Sequence, residues 1–554
     1  MLGRILAGIT CLTSLTILNA RPLHAEQKSR QQRATDQEFY LSLGDEPPSM
    51  DPTKQADTVS GFWLGHLYEG LMAYDQQGNV VLGAAEHMDI SADKKTYTFK
   101  IRKNAKWHDG KPLRAQDFEF AIRRLVDPAY ASEYAFIASV ASIDNATDII
   151  AKKKPVDTLG VKSVDDHTLE IKLSRPVAFF DALMAFKVFF PVRKDVVEKF
   201  GERFATTPES IVGNGPYKMD GWVKEQSMRL VKADTYWNAK AIKIKAIASP
   251  AIVKDTQALF NAFNTGAFDF TGVNTPEVLK QAQDAKHKIG TFQTGCTSYM
   301  EMNTREGRPF ANKELRLAIR DGINRGEFVN KIIGIPGYKA ALGIVPDMMP
   351  GSKTGNTYRK EAPLTARDGD LAAVKTHLKA YVDRTKSAKA PALTILAGDS
   401  TRAKKYAEYW QSVLAKLLDT EVKIENVPFK TRLQKTRDHQ FDVVLAGWCP
   451  DYRDAMTFID LFTSKNENNN TGWTSGKMDG LVEQAANEPD AAKRIQLMAQ
   501  AEKLLWEEAA VVPTDYSGSA YVVAEGLKGL RRGLFGTDPD LRFAQWGKAP
   551  AAAK

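Results

Sequence analysis

The amino-acid sequence predicts a mixed α/β protein of several domains. Runs that alternate apolar and polar residues mark strands in the first third, stripes at helical spacing mark helices in the last third, and the chain has 554 residues. At roughly 150 residues per domain, that length allows about three or four domains with ample core. Tyr97, Phe99 and Ile101 alternate with Thr98, Lys100 and Arg102, and Leu169, Ile171 and Leu173 alternate with polar neighbours, so both stretches read as half-buried strands. Tyr406, Tyr409, Trp410, Val413, Leu414 and Leu417 fall at helical spacing, as do Ile495, Met498, Ala501 and Leu505. These aromatic and Met stripes read as core. Strands are expected to dominate the first third, with no clean βαβ repeat and no internal repeat anywhere. Three segments rich in Gly, Pro, Ala and charge read as flexible: Glu26 to Asp36, Gly351 to Arg367 and Gly547 to Lys554.

The N-terminus reads as an export signal. Arg4 supplies a basic head, and Ile5 to Leu18 form an apolar run that is too short to span a bilayer as a helix. Small residues follow, so cleavage is expected after Ala25, with Ala20 the second choice. Cys11 sits inside the run behind Thr10, where a lipid-anchor signal needs a small residue, so an unanchored, periplasmic product is expected. No other segment reaches the apolar length of a membrane span.

Charge and motif content narrow the function classes. Losing residues 1–25 removes Arg4 and Arg21 and no acid, so the formal charge falls from +9 to +7. That is mild for this length, and the basic residues are interspersed with acids, which argues against a nucleic-acid partner. Lys152 to Lys154 read as a solvated loop. There is no Gly-x-Ser-x-Gly elbow, no phosphate-binding loop and no His-Glu-x-x-His, so an enzyme is not expected. The eight histidines are scattered, and neither a metal nor a cofactor is expected. His108 precedes Asp109-Gly110, a hairpin signal, and Gly213 and Gly215 precede Pro216; both read as turns.

Several runs in a shared order resemble the family 5 extracellular solute-binding proteins of peptide transporters. They are Glu46 to Pro52, Leu67 to Leu71, Lys95 to Pro128 with its Lys106-Trp107-His108-Asp109-Gly110 core, and Asn214 to Tyr217 with Trp222. Tyr236-Trp237 and Asn303 with Phe310 and Arg316 follow. Lys154 to Leu173 and Gly447 to Tyr452 resemble the oligopeptide-binding branch in particular. The resemblance implies a two-lobed periplasmic binding protein clamp, class II of the peptide-binding type, with an additional third domain. It places residues 26–69, 194–295 and 519–554 in one lobe, 70–193 in the extra domain and 296–518 in the other lobe. The chain would cross between lobes, and hinge, near residues 295 and 518.

The same resemblance implies capture of short peptides and delivery to an inner-membrane ABC permease by a monomer. Other ligands on this fold stay open: a murein peptide, haem, a sugar or a metal chelate. Cys296 and Cys449 are the two cysteines left once the leader is gone, and the branch carries a disulfide at these motifs. Gly447, Trp448 and Cys449 would lie along the ligand backbone, Tyr134 would close from the extra domain, and Phe429 takes an aromatic position that is usually Trp. Asp451 matches the carboxylate that holds the ligand's α-amino group; a turn role beside Pro450 is the alternative. The carboxyl end departs from the family. Its two basic positions are Leu445 and Thr436 here, so Arg437, a lysine or water is expected to hold that end, with amidation costing less than about tenfold.

Overall fold

The computed structural model describes residues 28–177, 179–353, 355–364 and 368–547, so the expected leader and nearly all of the tail lie outside the described residues. Three sheets organise the chain. The first orders Glu38–Tyr40, Ala246–Ser249, Ser227–Lys232 and Tyr217–Val223, with Glu38–Tyr40 parallel to its neighbour and the rest antiparallel. The second is an antiparallel sheet of Ala85–Ile90, Thr96–Ile101, Thr168–Lys172 and Val161–Asp165. Along Thr96–Ile101 the residues Tyr97, Phe99 and Ile101 point inward and Lys100 outward, the alternation that one buried face requires.

Helices share the first third with these strands, against the expectation that strands dominate there. Ala115–Val126 packs Phe118, Ile122 and Leu125 inward, an amphipathic stripe that the sequence reading passed over. Thr58–Leu67 is buried from Ser60 onward and has no polar face to create a period. Its C-terminal end is met by Gly213, where a Cβ would stand 2.0 Å from the Leu67 carbonyl oxygen, so only glycine fits. The two turns predicted from Asp109-Gly110 and Gly213-Gly215 meet through His108. Its Nδ1 accepts from the Gly213 N–H at 3.2 Å, and its Nε2 lies 3.1 Å from the Gly215 carbonyl.

The third sheet orders Phe270–Gly272, Val511–Val523, Gly290–Met302, Val443–Trp448, Leu393–Gly398 and Val422–Val427, with Lys339–Ala340 paired to Val511–Val523. Two features position the site. The 13-residue strands Gly290–Met302 and Val511–Val523 run antiparallel, but their register slips between the pairs Gln293–Gly518 and Thr297–Tyr516, where Gly295 takes φ +70°. Residues 393–448 form a β-α-β-α-β unit whose strands are mutually parallel, through the helices Thr401–Leu418 and Phe429–Arg437. That corrects the expectation of no clean βαβ repeat. The pattern was hidden because Val422–Val427 reads Val-Lys-Ile-Glu-Asn-Val, too polar for a parallel strand buried on both faces. Trp410 of the Thr401–Leu418 helix is buried, and Phe328 packs on Tyr406, Tyr409 and Trp410.

Part of the stretch read as flexible is anchored. Arg30–Asp36 is a helix capped by Ser29, and the Arg33 side chain, fully buried, donates to both carboxylate oxygens of buried Asp269 at 2.6 and 2.9 Å. A polar stretch enters the core here because its charge has a bidentate partner 236 residues away. Within 351–364, Tyr358–Glu361 is helical and Tyr358 is buried.

His66 joins segments 475 residues apart in the chain. It contacts the Phe62 carbonyl through Nδ1 at 2.9 Å and accepts the Leu541 N–H at Nε2 at 3.1 Å, which requires the neutral ring with its proton on Nδ1. Burial pushes its pKa down to about 4. A folded-state pKa below the unfolded value gives stability that is full above about pH 6.5 and lost as pH falls toward 4, about 3 kcal/mol for this group. Denaturant titrations at pH 7 and pH 4 are expected to show wild type losing about that much more than His66→Gln, which keeps an acceptor but cannot charge. Equal losses would remove His66 from the account.

Candidate functional site

Open α/β sheets bind ligands at the carboxyl ends of strands where the strand order reverses. In residues 393–448 that point lies between Leu393–Gly398, whose next strand lies to one side, and Val443–Trp448, which lies to the other. These two strands pair only at Ile395–Val443 and Leu396–Val444 and then part. Leu445 to Trp448 keep their ladder to Gly290–Met302 on one side, through Leu445–Met300, Ala446–Tyr299, Gly447–Ser298 and Trp448–Thr297. Their other edge lies outside the ladder with Leu393–Gly398. Gly447 on that edge is exposed and leaves its backbone bare. An unpaired edge is what a ligand strand can add to.

Four of the residues expected at the site, Tyr134, Trp448, Cys449 and Asp451, lie together at the end of that edge. Trp448 ends the strand, and its ring stacks on Tyr134 at 5.9 Å and 12° between planes. Tyr134 comes from 70–193 and is itself packed against Phe136 and Phe186. Its hydroxyl donates to Asp451 Oδ1 at 3.3 Å. The loop after the strand is shaped by Thr457, whose Oγ1 accepts the Asp451 N–H at 3.1 Å and lies 3.5 Å from Trp448 Nε1. Cys449 is bonded to Cys296, tying this loop to Gly290–Met302. Phe179, also from 70–193, stacks on Tyr452 at 4.8 Å. Phe179 further lines a cavity of about 1650 Å³ between the second sheet and residues 453–495, which Tyr134, Trp448 and Asp451 do not line.

Electrostatics single out Asp451. Burial pushes its carboxyl well above the usual carboxylate range, the negative charge of Asp460 adds to this, and the Tyr134 hydroxyl and Lys187 pull the other way. Lys187 is buried, donates to the Gly536 carbonyl at 2.8 Å, and is brought down to about 8 by its own burial against the pull of Asp451 and Asp540. Among the described residues no cation pairs with this carboxyl, and an ammonium group beside it would stabilise its charged form. Lys187 was not anticipated: it lies 264 positions from Asp451 in a run that otherwise reads as apolar core, so no local pattern marks it.

Phe429 and Arg437 open and close the helix Phe429–Arg437. Phe429 is half-buried, with the Arg432 guanidinium 5.3 Å over its ring. Arg437 forms an ion pair with Glu133 at 3.0 Å, across to 70–193. Asn468 reaches the Glu133 carbonyl at 3.4 Å. At the other rim, Lys254 bonds Asp399 at 2.8 Å with Asp45 at 3.6 Å, and the Thr401 hydroxyl donates to Asp255 at 2.9 Å. These bonds join residues 194–295 to 393–401. Burial pushes Asp45 up to about 6 even with Lys254 beside it. Thr436 is buried, and its hydroxyl returns to the Arg432 carbonyl at 2.8 Å.

Among the described residues, no cluster of three or more His, Cys, Asp and Glu is placed to hold a metal ion, and no helix is long and apolar enough to cross a membrane. Residues 79–470 match the model of the bacterial extracellular solute-binding proteins, family 5 Middle. The chain is 33% identical to the periplasmic oligopeptide-binding protein OppA of Salmonella typhimurium over 538 residues, covering 97% of this chain and 96% of that one. Listeria monocytogenes OppA bound to peptide superposes with a TM-score of 0.87 at 31% identity, covering 92% of this chain and 99% of that one. The Escherichia coli murein tripeptide binding protein MppA gives 0.84 at 30% identity, covering 92% and 98%. Its unliganded open form gives only 0.60, at 93% and 98% coverage. The chain belongs to the family 5 bacterial extracellular solute-binding proteins.

Proposed function

We propose that this protein is the periplasmic binding component of an ABC transporter and captures short peptides in a cleft that closes on them. The observation that carries the reading is the unpaired edge of Leu445 to Trp448 running toward Asp451, a desolvated carboxyl beside Tyr134. A peptide adding to this edge is held by its own backbone, so affinity does not depend on particular side chains. Asp451 then takes the α-amino group, Trp448 and Tyr134 flank the first residues, and Gly447 and Cys449 lie along the ligand. The relatives named for peptide binding, and the match to a peptide-bound OppA, support this ligand class. The match to MppA supports a murein peptide as a second reading within the same chemistry.

The clamp is read as one lobe of 26–69, 194–295 and 519–554, an extra domain of 70–193, and a second lobe of 296–518. The register slip at Gln293–Thr297 supports the crossing strands as its hinge. The protein is proposed to act as a monomer, to leave its signal at Ala25, and to hand its ligand to an inner-membrane permease without chemical change. A ligand shifts an open–closed equilibrium only through contacts it makes better in the closed state. Saturating tripeptide is therefore expected to reduce the radius of gyration in solution scattering. Identical curves with and without peptide would count against closure.

A further inference from the structure

We infer that the cavity between the second sheet and residues 453–495 is a second ligand site, built for a small amphipathic anion: an apolar body carrying one carboxylate or sulfonate, received by Arg175. The site lies outside the peptide cleft and does not depend on it, since Tyr134, Trp448 and Asp451 do not line it. One wall comes from 70–193, through Ile90, Val140, Arg175 and Phe179, and the other from 296–518, through Met456 and Arg494. At about 1650 Å³ the cavity exceeds the roughly 300–1,000 Å³ of most small-molecule sites, so it holds a bulky ligand with room for water.

Three observations carry the assignment. First, Arg175 is a cation without a partner. It is half-buried, and among the described residues its guanidinium makes no hydrogen bond or ion pair. Burial and the nearby charge of Arg494 lower its pKa, as expected for a guanidinium taken from water without a counter-ion. Arg494, by contrast, donates to both oxygens of Asp454 at 2.6 and 2.9 Å and rests 5.7 Å over the Phe179 ring. Second, the acids of the lining leave the cavity positive. Asp454 is held by Arg494, and burial pushes Asp460 up to about 7, with the Tyr452 hydroxyl donating to its Oδ2 at 3.2 Å. Asp460 Oδ1 is buried with no hydrogen-bond partner, a polar point that a ligand or its water can meet. At the rim, Glu467 and Glu488 are outnumbered by the exposed cations Lys94, Lys153, Arg453 and Lys465, none of which forms an ion pair among the described residues. Third, the floor is apolar. Ile90, Phe136, Val140, Val177, Phe179 and Met456 line it, and Ile90 is left 48% exposed on the sheet's edge strand. An amphipathic anion complements such a wall: its body leaves water while its charge meets the planar guanidinium through paired hydrogen bonds. An inorganic anion would leave the apolar wall wet, and a neutral apolar ligand would leave Arg175 unpaired.

The test is calorimetry of decanoate and of 1-decanol, kept dissolved and below micelle formation, on wild type, Arg175→Met, Arg175→Lys and Ile90→Glu, each with and without excess trialanine. Wild type is expected to bind decanoate at least about tenfold more tightly than decanol, about 1.4 kcal/mol, with trialanine present. Arg175→Met keeps the apolar stem and removes the charge, and is expected to bring the two within about threefold. Arg175→Lys is expected to keep an intermediate preference, and Ile90→Glu, which sets an acid on the apolar wall, to weaken decanoate more than decanol. A purely structural role for Arg175 would weaken both probes alike and leave their ratio unchanged. The ratio decides the site whether or not trialanine binds. Decanoate displaced by trialanine would place the anion in the peptide cleft and overturn the assignment. Equal binding of the two probes to wild type, no binding of either, or an Arg175→Met protein that keeps the wild-type ratio would overturn it as well.

Discussion

Acetylating the amine of a tripeptide ligand is expected to weaken its binding at least a hundredfold, and Asp451→Ala is expected to erase the preference for the free amine. Asp451 is desolvated, repelled by Asp460, and bonded by one hydroxyl, that of Tyr134. An ammonium group placed beside it converts a half-buried, poorly solvated carboxyl into a charge-assisted pair. The acetyl group removes that cation and leaves the carboxyl either charged and unpaired or protonated at a cost. Removing one member of a buried pair costs about 3 to 5 kcal/mol, and each 1.4 kcal/mol is a decade in affinity. Calorimetry with free and acetylated peptide on wild type and Asp451→Ala measures both terms. An Asp451→Ala protein that still favours the free amine would exclude this role and leave Asp451 as a turn residue after Pro450.

The second large effect concerns stability. Arg33→Met is expected to destabilise the lobe that contains the first sheet by about 3 to 5 kcal/mol, because it strands the Asp269 carboxylate in the core. Asp269 also accepts the Tyr40 N–H at 2.9 Å, and Arg30 at 3.4 Å offers partial compensation, which favours the lower end of that range. The double variant Arg33→Met/Asp269→Leu is expected to recover most of the loss, since an apolar pair of similar volume avoids burying either charge. Denaturant unfolding of the single and double variants decides it. A single variant within 1 kcal/mol of wild type would show that the pair contributes little, and a double variant as poor as the single would place the loss in packing rather than in the stranded charge.

The same ion pair shows why the stretch Glu26 to Asp36 misled the sequence reading. Composition reports how many charges a segment carries, but whether one can be buried depends on a partner brought by the fold, here 236 residues away. Features legible in the sequence were local ones. The strand through Tyr97, Phe99 and Ile101 is written in a period of two, the helices through Trp410 and Leu505 in a period near 3.6, and the Asp109-Gly110 turn in two residues. The run Gly447 to Tyr452 was legible too, because its order of residue types is rare enough to carry a resemblance without any geometry.

The tertiary structure alone decided where Arg437 turns. Sequence proximity pointed to Arg437, one place from the family position, but a helix advances about 100° per residue, so a neighbour in sequence faces elsewhere. Arg437 turns to Glu133, 304 positions earlier in the chain. The crevice itself was also hidden, since it arises where two parallel strands part after Leu396 and Val444. By itself the sequence determined the kind of protein, its pair of cysteines and the rare run Gly447 to Tyr452 around which the candidate site lies, because each depends on residue type and order. Which side chains converge there, at what burial and with which charges left unpaired, depends on contacts between segments hundreds of residues apart, and only the folded chain supplies those.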